Sequence, residues 1–368
     1  MTPSLFLPRL VRSLILFTFA SLFCTSSLAQ PAGAQGDNFI YRIMGGDTLI
    51  TLSERFTDRA DHWRTLQTLN AVQEPTALPI GLELKIPFSL IPELPAQAQV
   101  THVVGQARAN QTPLAAGSQL VEGDVVHTEA NGFVTLMLAD GSALTIPAQS
   151  ALRLERLRVF KGTELTDTIF TLEDGSLESQ VAPQGTGVGR FEIRTPVSIT
   201  GVRGTQLRVH SNTQGAQSEV LAGTAGLNAG HAESARLRPG QGAAVNPSGK
   251  LLGVKALLPA PVLADPVRDG GGWMTSFPPL AGATSYLVRV AGDPQGTQLY
   301  SSQRVSSTEA SFRAPGAGTY YVMVRGIDAD GLNGADAVQP FLGQSVLQTS
   351  DGSPISTPFG QLVVLTDY

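Results

Sequence analysis

Cysteine is nearly missing from this chain of 368 residues: Cys24 is the only one, and it lies in a hydrophobic leader. Once that leader is removed no disulfide can form, so stability must come from buried cores, which the length permits. Runs of one charge are missing too. The formal net charge is -5, and no basic stretch interrupts it, which argues against a nucleic-acid partner. The five histidines, His62, His102, His127, His210 and His231, are dispersed, with no pair at metal-ligand spacing and no thiol to complete a site. No Gly-x-Ser-x-Gly elbow, phosphate-binding loop or His-Glu-x-x-His helix occurs. Asp140, Asp174 and Asp330 each precede Gly and read as turn formers before catalytic acids. The expectation is a non-enzyme without metal or cofactor, although a carboxylate pair assembled in space by a β fold would leave no trace here.

Long apolar runs are also lacking. Leu14 to Phe23 is an apolar core of ten residues, preceded by Arg9 and Arg12 and followed by Ser27-Leu28-Ala29. That is short for a bilayer span and fits a signal peptide over residues 1–29, cleaved after Ala29. Phe23 stands before Cys24, where a lipoprotein signal wants a small residue, so lipidation is set aside. No transmembrane segment is expected after signal removal.

What the chain does have is turn formers. Its 39 Gly and 24 Pro favour many short strands over long helices, and the expected class is multidomain and mainly β. Pro31 to Asp37 reads as a spacer. From Phe39 to Pro87 the pattern is strand, helix, helix, strand. Ile40, Arg42 and Met44 alternate with Phe39, Tyr41 and Ile43. Gly45-Gly46 turns the chain, Asp47 sits where an N-cap belongs, and Leu49, Leu52, Ser53 and Phe56 follow at helical spacing. Trp63, Leu66 and Leu69 form the inward face of the second helix, which gives way at Asn70, a residue that tolerates a left-handed cap.

This stretch, residues 38–88 as a module, closely resembles the LysM family. The residues that carry the likeness are Tyr41-Arg42-Ile43 leading to Gly46-Asp47-Thr48-Leu49, Asn70, and Ile80-Gly81 leading to Leu84-Lys85-Ile86-Pro87, with Ile43 for the family's Val and Ile80 for its Pro. The resemblance implies binding to N-acetylglucosamine-containing glycan, peptidoglycan in bacteria. The implied groove has Gly46, Asp47, Thr48 and Leu49 on one side and Leu78, Pro79 and Ile80 on the other, with main-chain polar groups and aliphatic cover for a sugar. Beside that stand plainer readings: Asp47 as a helix cap, Trp63 as core and Ile80 as a plug. A short signal with a peptidoglycan-binding resemblance points to the periplasm.

Ser89 to Gln99 reads as a linker. From residue 100 to 250 short alternating runs are punctuated by Asn131-Gly132, Asp140-Gly141 and Asp174-Gly175, the dipeptides that close tight hairpins, so the region reads as all-β. It resembles a FecR-type domain through Gly123-Asp124 with Thr128, Phe133 to Gly141, and Thr195-Pro196 leading to Gly201-Val202-Arg203-Gly204-Thr205. In its best-known setting that domain is the periplasmic half of a transmembrane regulator relaying an outer-membrane signal to a sigma factor. This chain shows no cytoplasmic segment before its apolar run and no second spanning run, so the expectation is a β scaffold for protein contacts without the relay. Arg203, between glycines in an expected loop, reads first as a turn lock and second as a binding group.

Leu257 to Pro266 reads as a second linker. Trp273 and the alternating strands Tyr286 to Val290 and Tyr320 to Val324 resemble a fibronectin type III-like sandwich over residues 262–342, its aromatic stripe read as core. Residues 343–368 form a tail with no assignment. Three functions follow as expectations: a peptidoglycan-docked structural protein, a signalling or envelope-stress accessory with a protein partner at the FecR-like region, and, last, a wall hydrolase.

Overall fold

The computed structural model describes residues 33–181, 188–230, 233–269 and 272–344, with 349, 353–359, 361 and 363 of the tail. The export signal expected at 1–29 lies outside the described residues, as does much of the tail. Among the described residues no helix is long and apolar enough to cross a membrane.

The N-terminal module contains β1 (Gly33–Gln35), β2 (Asn38–Arg42), α1 (Leu49–Thr57), α2 (Trp63–Leu69) and β3 (Glu83–Pro87). The βααβ order is the expected one, but β1 occupies ground read as a spacer and adds a third antiparallel strand, in the order β1-β2-β3. Alternation sends Phe39, Tyr41 and Ile43 into a core with Leu49, Leu52 and Phe56 of α1, Leu66 of α2, and Leu84 and Ile86. Leu69, expected inward, is 44% exposed, because α2 ends there and only Leu66 is fully buried. Asn70 works by its side chain, not by a left-handed backbone: its amide donates to the carbonyls of Leu66 and Lys85, and its carbonyl oxygen accepts from Lys85 N at 2.7 Å. Those bonds tie the helix end to β3.

The stretch read as a first linker is built into the sheet at two places. It includes β4 (Glu93–Pro95) and the start of β5 (Ala98–Val104), followed by short strands β6 (Ala107–Ala109), β7 (Thr112–Pro113), β8 (Gln119–Leu120) and β9 (Val125–Thr128). Next come β10 (Phe133–Met137), β11 (Ala143–Ile146), β12 (Ser150–Phe160), β13 (Thr166–Gln180) and β14 (Val188–Arg194). β15 (Ser198–Asn212), β16 (Gly215–Ala229), β17 (Ser234–Leu237), β18 (Gln241–Val245) and β19 (Leu251–Ala256) complete one branched sheet around a largely aliphatic core.

Of the three expected hairpins only Asp140-Gly141 joins paired neighbours, β10 and β11. Gly132 ends the turn between β9 and β10, which do not pair; a Cβ there would lie 2.2 Å from the Gln106 carbonyl oxygen. Asp174-Gly175 is no turn at all. It lies inside β13, where the strand leaves β12 and takes up β15, and Gly175 permits the change with φ +91.

The C-terminal unit is a two-sheet sandwich. One sheet holds β20 (Val267–Asp269), β21 (Gly272–Ser276) and β24 (Glu309–Phe312); the other runs β23 (Leu299–Val305), β22 (Ser285–Ala291), β25 (Gly318–Ile327), β26 (Ala337–Gly343). Trp273, Phe312 and Phe341 meet between them with Val288, Val290, Val322 and Val324, so the aromatic stripe is core.

Neither junction is loose. Phe160 and Leu165 of the central region complete the module's core, with the Phe88 and Phe160 rings 4.4 Å apart. The segment Leu257 to Pro266 carries no regular element but is clamped: Leu257 N donates to Gly240 O, and Leu258 O accepts from Ala335 N.

Candidate functional site

The residues singled out for glycan binding are brought together at one end of the module. Ile43 N donates to Leu82 O and Gly81 N to Ile43 O, which holds the loop after β2 against the loop before β3. Leu49 N donates to Pro75 O at 2.9 Å. Gly46, at φ +92, is exposed, as are Pro79 and Ile80, the latter at 77%. Gly45 faces Ile80, whose Cδ1 lies 3.6 Å from where a Cβ would stand. Leu49 and Leu78 do not face outward with them, since both side chains belong to the buried core.

The helix cap is one residue later than the sequence suggested. Thr48, not Asp47, caps α1: its hydroxyl accepts from Thr51 N, while Thr51 Oγ1 accepts from Thr48 N, a reciprocal capping box. Asp47 braces the preceding turn, its Oδ2 accepting from Met44 N at 2.8 Å and from the Tyr41 hydroxyl at 3.0 Å. Burial, then the Asp47 carboxylate, raises the Tyr41 hydroxyl above its ordinary value.

A concavity of about 940 Å³ lies where the module meets the central sheet. Its module wall is Gly36 to Asn38 and Pro87 to Ser89, and its floor is the outer face of β14, β15 and β16. Gly201 and Val202 of the late signature lie in that floor. The signature is not a loop. Gly201 to Thr205 sit within β15, and the pairing with β16 slips between Arg203 and Gln206. Gly204 takes φ +58 and Thr205 Oγ1 donates to Thr224 O, which secures this bulge. The Arg203 side chain lies outside the described residues. At one end of the cleft the buried Asp167 carboxylate accepts a pair of bonds from Arg190, Nε at 2.6 Å and Nη2 at 2.7 Å, and a third from Arg156 Nε.

Sequence reasoning missed a buried ionic cluster between the central sheet and the sandwich. Arg289 Nη1 lies 2.9 Å from both oxygens of Glu178, and Arg325 donates to the same carboxylate. Arg208 pairs with Asp336 and donates to Gly334 O at 2.8 Å, and Arg289 Nη2 reaches Asp336 at 3.1 Å. The three arginines are almost wholly buried. Burial opposes ionisation of Glu178 and Asp336, yet the surrounding guanidinium groups outweigh it and hold both carboxyls below their ordinary values. Beside the cluster, His210 contacts Ser176 Oγ through Nδ1 at 2.8 Å and Glu219 through Nε2 at 3.0 Å, and Asn333 N donates to Glu219 at 2.8 Å. The only sequence signal was Arg289 and Arg325 at alternating strand positions otherwise filled by apolar residues; Arg208 stands between Gln206 and His210 on its face.

Comparison with known proteins adds one family. Residues 124–226 match the model described as FecR protein. No curated protein matches the chain. Among solved structures, two crystal structures of a candidate anti-sigma factor from Parabacteroides distasonis ATCC 8503 align at 18% and 20% identity, each with a TM-score of 0.30. Each alignment covers 36% of this chain and 59% of that one, so this chain spans less than two thirds of those neighbours' length. The extracellular domain of a candidate hybrid two component system from B. thetaiotaomicron aligns at 8% identity and TM-score 0.17, over 62% of this chain and 39% of that one. The central β region is thus similar to FecR protein over residues 124–226.

Proposed function

We propose that the chain is a non-enzymatic accessory of the periplasm, exported by the leader at 1–29, whose FecR-type region meets an envelope protein in signalling or stress response. The family match over residues 124–226 carries this reading. Partner contact fits a region that exposes large apolar side chains on a rigid sheet, Met137 at 38% and Ile199 at 39%. The test is a photo-crosslinking amino acid placed at each of these positions in cells. A discrete adduct with one envelope protein is expected; unmodified chain at both positions would remove the proposal.

A second reading, docking on N-acetylglucosamine-containing peptidoglycan through the LysM-like module, is favoured by the exposed Ile80 opposite Gly45 and Gly46. It gives the first reading an anchor and does not compete with it. Ile80→Asp touches no core residue and keeps the Thr48 cap. Sedimentation with insoluble peptidoglycan is expected for the wild-type chain and lost in this variant; equal retention of both would misplace the groove.

A further inference from the structure

The concavity between module and sheet has a floor that folding alone does not explain. Four residues stand in register across four strands: Glu192 opposite Gly201, Gly201 opposite Gly226, and Gly226 opposite Arg236. All four line the cleft. Residues directly opposite in a ladder point to the same face, so this row is a track with a carboxylate at one end, a guanidinium at the other, and bare main chain between.

Neither glycine is required by backbone or packing. Gly201 and Gly226 are absent from the positive-φ positions. A Cβ on Gly201 would meet nothing within 4 Å, and one on Gly226 only the Gly201 carbonyl oxygen at 4.0 Å. Glycine inside a strand weakens it, and a strand that keeps one where a side chain would fit leaves room for something to approach its backbone closely.

The two ends retain binding capacity. Arg194 places two of its three bonds, from Nε and Nη2, on Glu192 Oε2 and the third on Glu155, and Glu192 Oε1 has no partner among the described residues. The Arg236 side chain likewise has no partner among the described residues and is exposed. Between the ends lie three strand spacings, about 14 Å, the length of about four residues of extended chain. The floor's amides and carbonyls are engaged in the ladder, so an occupant would be held at its ends and covered by contact along its length.

We propose that this cleft binds a short extended zwitterionic peptide of about four residues, lying across β14 to β17. Its ammonium meets Glu192 Oε1, its carboxylate takes the fork of Arg236, and its main chain lies on Gly201 and Gly226. A guanidinium can grip a carboxylate with two parallel bonds, which orients the ligand. The site is separate from the glycan groove, which is formed at the opposite end of β2 and β3, and it does not rest on the identity of any envelope partner.

The probe is tetra-alanine with free termini, compared with its N-acetylated, C-amidated form, titrated into the full mature chain by calorimetry and ligand-observed NMR. The wild-type chain should bind the free peptide at least tenfold more tightly than the blocked one. Gly226→Val should abolish binding by raising the floor, and Arg236→Gln should cost about tenfold for the free peptide and nothing for the blocked one. Arg236 is exposed, so its variant reads the site even if Gly226→Val unfolds. Equal affinity for the two peptides, no saturable binding of tetra-alanine, or unchanged binding by Arg236→Gln would each overturn the proposal.

Discussion

Gly175 shows how much one missing side chain can decide. The strand β13 serves two partners in succession, and at the handover the chain passes so close to β12 that a Cβ would lie 2.5 Å from both Gln149 O and Ser150 Cα. The φ of +91 adds a conformational penalty for any L side chain. Gly175→Ala is therefore expected to lower unfolding free energy by at least about 2 kcal/mol, read from the urea midpoint at unchanged slope. Gly141, inside a true hairpin turn, has open space where a Cβ would be added, so the same change there carries only the conformational penalty of φ +80, without the clash, and should cost less. In sequence the two Asp-Gly pairs look alike. What separates them is a long-range contact, Gly175 to Ser150, that no local pattern encodes.

At the scale of elements, legibility followed local periodicity. Strand β2 and helix α1 could be read from alternation and 3.6-residue spacing, because each buries one face against a small core. The cap of α1 could not be placed to the residue, since Asp47 and Thr48 are both good N-caps and the Tyr41 hydroxyl and Met44 amide claim the former. Thr48→Ala should cost about 1 kcal/mol of module stability, and Asp47→Ala should leave the capping box intact while freeing the β2 loop; thermal denaturation and amide exchange of Thr51 distinguish them. Two stretches rich in Pro and Ala read as linkers because their composition resists regular structure. Tertiary bonds hold both. The two loops expected to face each other at the end of the module do so, but Leu49 and Leu78, read as surface positions, serve its core instead.

For the whole molecule, the ionic cluster joins sheet to sandwich beside an apolar contact of Phe133 with Ala291, Leu299 and Met323. Breaking a buried pair strands its partners, so Asp336→Asn is expected to cost about 3–5 kcal/mol and to expose the Leu257 to Pro266 segment to proteases. The pH dependence follows from the direction of the shifts. Glu178 and Asp336 are depressed below their ordinary values of 4.5 and 3.8, so their contribution is complete above about pH 4.5 and is lost as pH falls further, through the folded-state values. Calorimetry from pH 7 to pH 3 should show the cluster's stabilisation beginning to decline only below about pH 4.5, and Asp336→Asn should flatten that decline. Beyond an arginine in an apolar row, none of this was legible in sequence, because the five charges come from four strands and one loop across two domains.

The shared core at Phe160 has a dynamic consequence. A side chain from the central sheet fills the interior of the N-terminal module, and buried guanidinium groups bind the far unit to the same sheet. Three units that could have moved as beads on a string are expected to tumble as one particle. Whatever the first grips, the last is held at a set distance and orientation from it, like the arms of a caliper.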